Sequence, residues 1–314
     1  MGKLPFEKIK REVLVRKEAE TRREFKRSVE ELIQYGVVNI DKPKGPTSHE
    51  VSDYVQKILK IEKAGHSGTL DPGVTGVLPT ALAKATRIVQ ALIKCGKEYV
   101  CVMHLHKDVD EQKIRKVMKS FIGKIKQRPP IKSAVKRVER FRKNYYIEIM
   151  EIEGKDVLFK VGCEAGTYIR VLCHQIGEKL ETGAHMAELR RTKAGPLDEK
   201  TLVTLQDLTD AFVYYKEGKE EQIRKAILPM EFAVQHLPKI WVLDSTITTL
   251  CNGVNLKVPG ISKLNDNIEP DQTIAVMTLA DELVGLGTAV MNSDKMLKEE
   301  KGLAVKIHKV FMQN

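Results

Sequence analysis

Residues 65–79 read Gly-His-Ser-Gly-Thr-Leu-Asp-Pro-Gly-Val-Thr-Gly-Val-Leu-Pro, a glycine-rich loop built around one carboxylate, Asp71. Gly68, Gly73 and Gly76 admit backbone conformations closed to other residues and let a ligand approach the chain closely. Pro72 narrows the backbone freedom of Asp71 itself. Within ten residues on either side the only other acid is Glu62. A rigidly presented single aspartate suits a nucleophile or a lone base better than a metal cage or a two-carboxylate hydrolase. The competing reading is a turn aspartate, common wherever glycine and proline gather.

The chain of 314 residues is long enough for two domains and a sizeable core. Its hydrophobic content of 42% and charged content of 30% are those of a globular protein. No apolar run approaches the roughly 20 residues of a membrane helix. The N-terminus is charged from Lys3 onward and lacks the apolar stretch of a signal peptide. A cytoplasmic location is therefore expected. The net charge of +11 favours a polyanionic partner, because neutralised phosphates release counterions. Cys95, Cys101, Cys163, Cys173 and Cys251 form no Cys-x-x-Cys pair and read as reduced, mostly buried thiols.

Residues 1–30 hold ten Lys/Arg and six Asp/Glu and read as a solvated arm or helix. A strand is expected over 36–40, followed by the turn Asp41-Lys42-Pro43-Lys44-Gly45-Pro46. Thr47 or Ser48 then caps a helix with Val51, Tyr54, Val55, Ile58 and Leu59 on one face. Pro79 is read as opening a second helix carrying Leu82, Ala85, Val89 and Leu92. Strands follow over 99–106, 145–152 and 156–163, the last two joined by Glu153-Gly154-Lys155, with an exposed loop over 127–143. A helix with Ile169, Leu172, Cys173, Ile176 and Leu180 begins at Gly166-Thr167. This mixture argues for an α+β fold. From Leu237-Pro238 onward, short alternating strands separated by glycine turns predict a small β-barrel. The domains are thus an arm over 1–30, a main domain over 31–236 and a barrel over 237–314.

Three distant places bear on the aspartate loop. Tyr99 opens a strand after Gly96-Lys97-Glu98, where a ring can stack on a base; an ordinary strand aromatic is the alternative. Arg170 stands in the first turn of a helix, where the dipole disfavours a cation unless an anion faces it. The segment from Gln127 to Arg142 carries Arg128, Lys132, Lys136, Arg137, Arg140 and Arg142 interleaved with Pro129, Pro130 and Ser133. A cationic loop gripping a phosphate backbone accounts for that density better than a solvated charged loop. A metal site drawn from His104 and His106 lacks a nearby acid or third histidine, and no Gly-Lys-Ser/Thr completes a phosphate loop. A glycosidase pair lacks its second acid.

Asn39-Ile40-Asp41-Lys42-Pro43-Lys44-Gly45 with Ser48, followed by His66-Ser67-Gly68-Thr69-Leu70-Asp71-Pro72, resembles the first two motifs of the TruB-type pseudouridine synthases. Lys97-Glu98-Tyr99, Gly166-Thr167-Tyr168-Ile169-Arg170 and the run from Gly183 to Thr192 resemble the later motifs, in order. Gln127-Arg128-Pro129-Pro130 through Ser133-Ala134-Val135-Lys136-Arg137 is similar to the guide-RNA-dependent branch, the archaeal homologues of dyskerin. Val258-Pro259-Gly260-Ile261 and the run from Leu283 to Ala289 resemble a PUA domain. The resemblance spans about residues 30–312. Ser67 and Gly73 depart from the usual pattern and leave the aspartate untouched.

The resemblance implies a catalytic domain on a mixed, mostly antiparallel sheet with flanking helices, followed by a PUA barrel. It implies conversion of uridine to pseudouridine in RNA. Asp71 would attack the target nucleotide, at the sugar or at the uracil ring, both remaining open. A carbon–carbon glycosidic bond replaces the carbon–nitrogen one, an isomerisation that requires neither cofactor nor metal. Arg170 would pair with Asp71 and steer it. Tyr99 would pack on the flipped uracil, Leu189 would add apolar wall, and His66 would sit beside the extruded nucleotide, a satisfied loop histidine being its alternative. The implied partners are a box H/ACA guide RNA, substrate rRNA or tRNA, a kink-turn-binding ribosomal-type protein and two small accessory subunits. Lys257, Lys263, Lys306 and Lys309 are candidate guide contacts on the barrel, against which the N-terminal arm is expected to pack. The alternatives are a standalone tRNA synthase and a non-catalytic RNA-binding scaffold.

Overall fold

The computed structural model of the chain describes residues 2–130 and 136–312. Its main sheet has ten strands. They run in the order Leu228–Pro229, Gly36–Lys42, Thr75–Leu82, Ala184–Ala194, Lys97–Leu105, Asp156–Cys163, Arg140–Glu153, Gly123–Gln127. Ala64–His66 lies beside Thr75–Leu82, and Leu197–Asp198 beside Ala184–Ala194. Neighbouring strands of this sheet pair antiparallel, with one exception. Thr75–Leu82 and Ala184–Ala194 run parallel, Thr75 opposite Arg190 and Gly76 opposite Arg191. The fold is α+β, and the aspartate loop enters the sheet at this parallel seam.

Helices cover the two halves of the sheet separately. Thr47 caps Ser48–Leu59 through the Glu50 amide, and Glu50 returns the bond, a reciprocal cap. Val51, Val55 and Leu59 then pack with Val38, Ile40, Leu78 and Leu82. Tyr54, expected on that apolar face, is exposed instead. Across the sheet, Ile169–Lys179 buries Ile169, Leu172, Cys173 and Ile176 against Cys101, Met103, Phe159 and Val161, as its periodicity predicts. Glu111–Lys119 adds Ile114 and Met118 to this core.

Two sequence readings of local structure are corrected. Pro79 does not open a helix; it lies inside the strand Thr75–Leu82, buried through nearly its whole length. Its carbonyl accepts from Ser67 N, so its missing N–H faces that same edge and costs the ladder with Gly36–Lys42 nothing. Only short turns, Ala83–Ile88 and Val89–Ile93, remain of the expected helix. The segment 127–143 is not one loop either. Gly123–Gln127 and Arg140–Glu153 pair with Gln127 opposite Arg140, so the basic residues ride on the end of a hairpin.

A second sheet of seven strands holds the C-terminal region, and it takes Val13–Val15 as its edge, with Leu14 opposite Leu264. Further along the arm, Arg27 forms a bidentate pair with Glu231 at 2.7 and 2.9 Å. Near its start, Leu4 is fully buried and Glu7 accepts from Lys193 Nζ at 2.7 Å. The two sheets share one apolar core, in which Ala275, Met277, Leu286 and Phe311 pack with Val77, Ile88, Leu92 and Met230. All five cysteines are free; Cys101 and Cys173 face each other at 3.6 Å in the core. Among the described residues no helix is long and apolar enough to cross a membrane.

The parallel seam depends on Gly76. Its φ is +99°, and a Cβ there would lie 2.2 Å from the Arg191 carbonyl oxygen. Gly73 has ordinary backbone and open space around its Cα. Gly76→Ala should therefore destabilise the fold by about 2–3 kcal/mol, and Gly73→Ala by less than about 0.5 kcal/mol, in denaturant melts. Equal effects would refute the constraint.

Candidate active site

The loop carrying Asp71 is held from below by the first motif. Lys42 is fully buried and donates Nζ to the carbonyls of Pro43 at 2.9 Å, Pro72 at 3.2 Å and Val74 at 2.9 Å. Burial pushes its pKa down, and the nearby Asp71 carboxylate opposes that shift. Ser48 Oγ accepts from Leu70 N at 2.8 Å and donates to Leu70 O at 3.1 Å. Gly45 N donates to Pro72 O, and Val74 N closes a turn onto Asp71 O, both at 2.9 Å. Backbone groups of Leu70, Asp71, Pro72 and Val74 are thus tied down, while the Asp71 side chain stays half-exposed at 54%.

Arg170 Nη2 pairs with Asp71 Oδ2 across 99 residues of sequence. The helix that carries it starts at Ile169 after a turn in which Gly166 has φ +80°, and no side chain caps its first turn. Gln127, buried at the base of the basic hairpin, clamps that start. It donates Nε2 to Tyr168 O at 3.1 Å and accepts from Tyr168 N at 2.9 Å. Tyr99 and Leu189 come from adjacent strands, Tyr99 opposite Arg191 and Cys101 opposite Leu189. Strand alternation puts all four on the sheet face that the Arg170 helix covers. Burial raises the Tyr99 pKa; the Arg191 guanidinium, which interacts with its hydroxyl, opposes the rise.

His66 packs edge-on against His49, ring centroids 4.8 Å apart, and its Nδ1 accepts a long bond from Gly68 N. Its Nε2 is buried with no hydrogen-bond partner among the described residues. Burial, reinforced by His49 and Arg191, pushes its pKa down to about 4. Arg128, Lys136, Arg137 and Arg140 are exposed on the hairpin. Arg142 turns inward beside Gly166, with Nη1 on Phe141 O at 2.9 Å. Lys132 lies outside the described residues. In the second sheet, Lys257 and Lys306 are exposed, while Lys263 and Lys309 are half-buried, Lys309 donating to Arg87 O at 3.3 Å.

Sequence reasoning about His104 and His106 missed two neighbours. His185 Nδ1 lies 3.0 Å from His106 Nε2, and Asp156 Oδ1 lies 2.7 Å from His104 Nδ1. Even so, no three such groups are gathered to hold a metal among the described residues. Also missed were the tie residues of the motifs. Arg190 forks onto Asp41 at 2.9 and 3.1 Å and reaches Glu199 at 2.7 Å. Glu98 is buried and accepts from Tyr146 and from Thr192 Oγ1. Lys97 Nζ closes the Val89–Ile93 turn by donating to the carbonyls of Leu92, Ile93 and Cys95, and burial brings its pKa down to about 8.

A half-exposed carboxylate paired with an arginine stands beside the sheet face that carries Tyr99 and Leu189, and comparison with known proteins identifies the class of the chain. Residues 56–169 match the TruB family pseudouridylate synthase N-terminal domain, and 170–235 the tRNA pseudouridylate synthase B C-terminal domain. Residues 238–311 match the PUA domain and 2–52 the DKCLD domain. The chain is 61% identical to a probable tRNA pseudouridine synthase B of Pyrococcus abyssi, covering 97% of this chain and 93% of that one. The counterpart in Methanosarcina barkeri is 55% identical over 99% of this chain and 94% of its own. Among solved structures, one of a Cbf5-Nop10-Gar1 complex matches with TM-score 0.94 and 59% identity, covering 98% of this chain and 96% of that one. An H/ACA RNP bound to a substrate RNA containing 2′-deoxyuridine matches with TM-score 0.94 and 56% identity, over 99% and 98%. The chain belongs to the TruB family of pseudouridine synthases, and is thus an RNA isomerase.

The histidines set an acid limit on the fold. His66 and His236 both have pKa values pushed down to about 4, chiefly by burial, against about 6.5 in the unfolded chain. Between these values the unfolded chain takes up protons that the folded one refuses. Stability from these groups is therefore present above pH 6.5 and lost as pH falls toward 4. Denaturant melts at pH 7, 5.5 and 4 should show this fall, and His236→Phe should show a smaller one. An unchanged slope would refute it.

Proposed function

We propose that Asp71 is the nucleophile of this synthase, with Arg170 as its charge partner and Tyr99 and Leu189 as the walls that hold the flipped uracil. The observation that carries this reading is the Asp71–Arg170 pair, formed between a loop and a helix start that share no sequence neighbourhood. Asp71 attacks the target nucleotide at C1′ of the sugar or at the uracil ring. The N1–C1′ bond breaks, the base turns, C5 bonds to C1′, the bond to Asp71 breaks to regenerate the carboxylate, the C5 proton leaves to water and N1 takes one up from water. Substrate and product are isomers, so the sequence needs no oxidant or reductant. Arg170 keeps the carboxylate aimed while the base turns.

The same reading extends to partners. Near-complete coverage and 56–59% identity to chains from H/ACA complexes support action on rRNA directed by a box H/ACA guide, with small accessory subunits. The relatives' names support tRNA as a further substrate. The exposed Arg128, Lys136, Arg137 and Arg140 fit a phosphate backbone beside the site, and the second sheet fits the guide's end. A cytoplasmic location belongs to the same proposal.

Release of tritium from RNA carrying 5-tritiated uridine follows C5 proton loss directly. Asp71→Asn should lower the rate roughly 10³-fold or more, and Arg170→Lys about 10²-fold, with RNA affinity nearly kept. An undiminished rate in Asp71→Asn would overturn the nucleophile. Reactions on rRNA fragments and tRNA, with and without guide RNA and accessory proteins, separate the substrates: full rRNA activity without guide would overturn guide dependence.

A further inference from the structure

Arg191 is 1% exposed, and among the described residues its hydrogen bonds go to backbone carbonyls and none to a carboxylate. A guanidinium in such a place survives only if its donors are spent on fixed acceptors. Its Nε donates to Val77 O at 2.7 Å and its Nη2 to Gly68 O at 3.2 Å. These carbonyls lie at the two ends of the stretch that contains Asp71. Tyr99 stands opposite Arg191 on the adjacent strand, on the same sheet face, where its hydroxyl interacts with the guanidinium, and the Arg191 backbone sits against Gly76 at the parallel seam.

We propose that Arg191 is a positioning residue of the synthase, a buried fork that locks the Tyr99 ring and the Asp71 loop into one rigid frame. This rests on the assignment of Asp71 and Tyr99 to the reaction. Arg191 makes no hydrogen bond or ion pair with Asp71 among the described residues. It acts through Tyr99 on one side and through the loop carbonyls on the other. Its planar fork serves divergent acceptors at once, whereas an ammonium at the same place is a single point of charge. Arg170 and Arg191 then have separate tasks. Arg170, half-exposed, meets the carboxylate from the helix; Arg191, buried, fixes the distance between the nucleophile's loop and the stacking ring.

The division predicts a specific pattern of kinetics in the guide-assembled enzyme under single turnover. Arg191→Lys keeps the charge and loses the fork. Its tritium-release rate should fall about 10- to 100-fold, with substrate RNA affinity within about threefold of wild type. Tyr99→Phe removes only the phenol, and because the two act as a unit, the double variant should be no more than about threefold slower than the slower single one. Multiplying effects, or a wild-type rate in Arg191→Lys, would overturn the proposal. If Arg191→Lys does not melt cooperatively, hydrogen exchange of Tyr99→Phe gives the second reading. Amides of 66–78 should exchange faster while those of 169–179 stay unchanged, and uniform exchange would refute the frame. Asp71→Asn keeps the two questions apart: if it retains full activity, the site assignment fails whatever Arg191 does.

Discussion

Two buried cations that form no ion pair with a carboxylate among the described residues sit beneath one loop, and the loop's geometry depends on them. Lys42 and Arg191 together saturate the carbonyls of Pro43, Gly68, Pro72, Val74 and Val77. Carbonyls of an irregular loop would otherwise need water, and a loop hydrated from below would move. Desolvating two cations is costly, which is why the pKa values of both are pushed down. The compensation is a loop whose carbonyls at Gly68, Pro72, Val74 and Val77 are held by fixed donors, and a positive field beneath Asp71. The same field helps hold His66 neutral beside the loop.

This arrangement explains what the sequence makes legible and what it hides. Asp71, Arg170 and Tyr99 can be found because each sits badly in its local setting: an acid alone among glycines, a cation at a helix start, an aromatic beside a motif. Lys42 and Arg191 carry no such mark. A lysine in Asp-Lys-Pro-Lys and an arginine in Leu-Arg-Arg-Thr read as surface charge, since burial of either is decided by strands that meet only in three dimensions. Pro79 is hidden for the opposite reason. Its local preference points to a helix start, and the ladder overrides it because the edge facing its nitrogen needs no donor there. The helix periodicity over 169–180 and the hairpin around Gly154 are local signals, and the structure follows them.

The basic hairpin shows how a motif's chemistry and its anchor come from different residues. Its cations dominate the sequence, yet the residue that joins it to the site is neutral Gln127, through a reciprocal pair with the Tyr168 backbone. Gln175 adds a third tie by donating Nε2 to Lys126 O at 2.7 Å, so the strand Gly123–Gln127 is fastened to the start and to the body of the helix from which Arg170 projects.

The second sheet is tied to the first as firmly as the hairpin is. One apolar core spans them, and the arm crosses from a buried Leu4 on the main domain to a strand beside Ile261–Asn265 before returning through Arg27 to Glu231. Association through apolar burial resists local hinging, since any opening exposes Phe311 and Met277 to water. A domain attached in this way reports position. The distance from the second sheet to Asp71 is therefore set by that shared apolar core rather than by a linker.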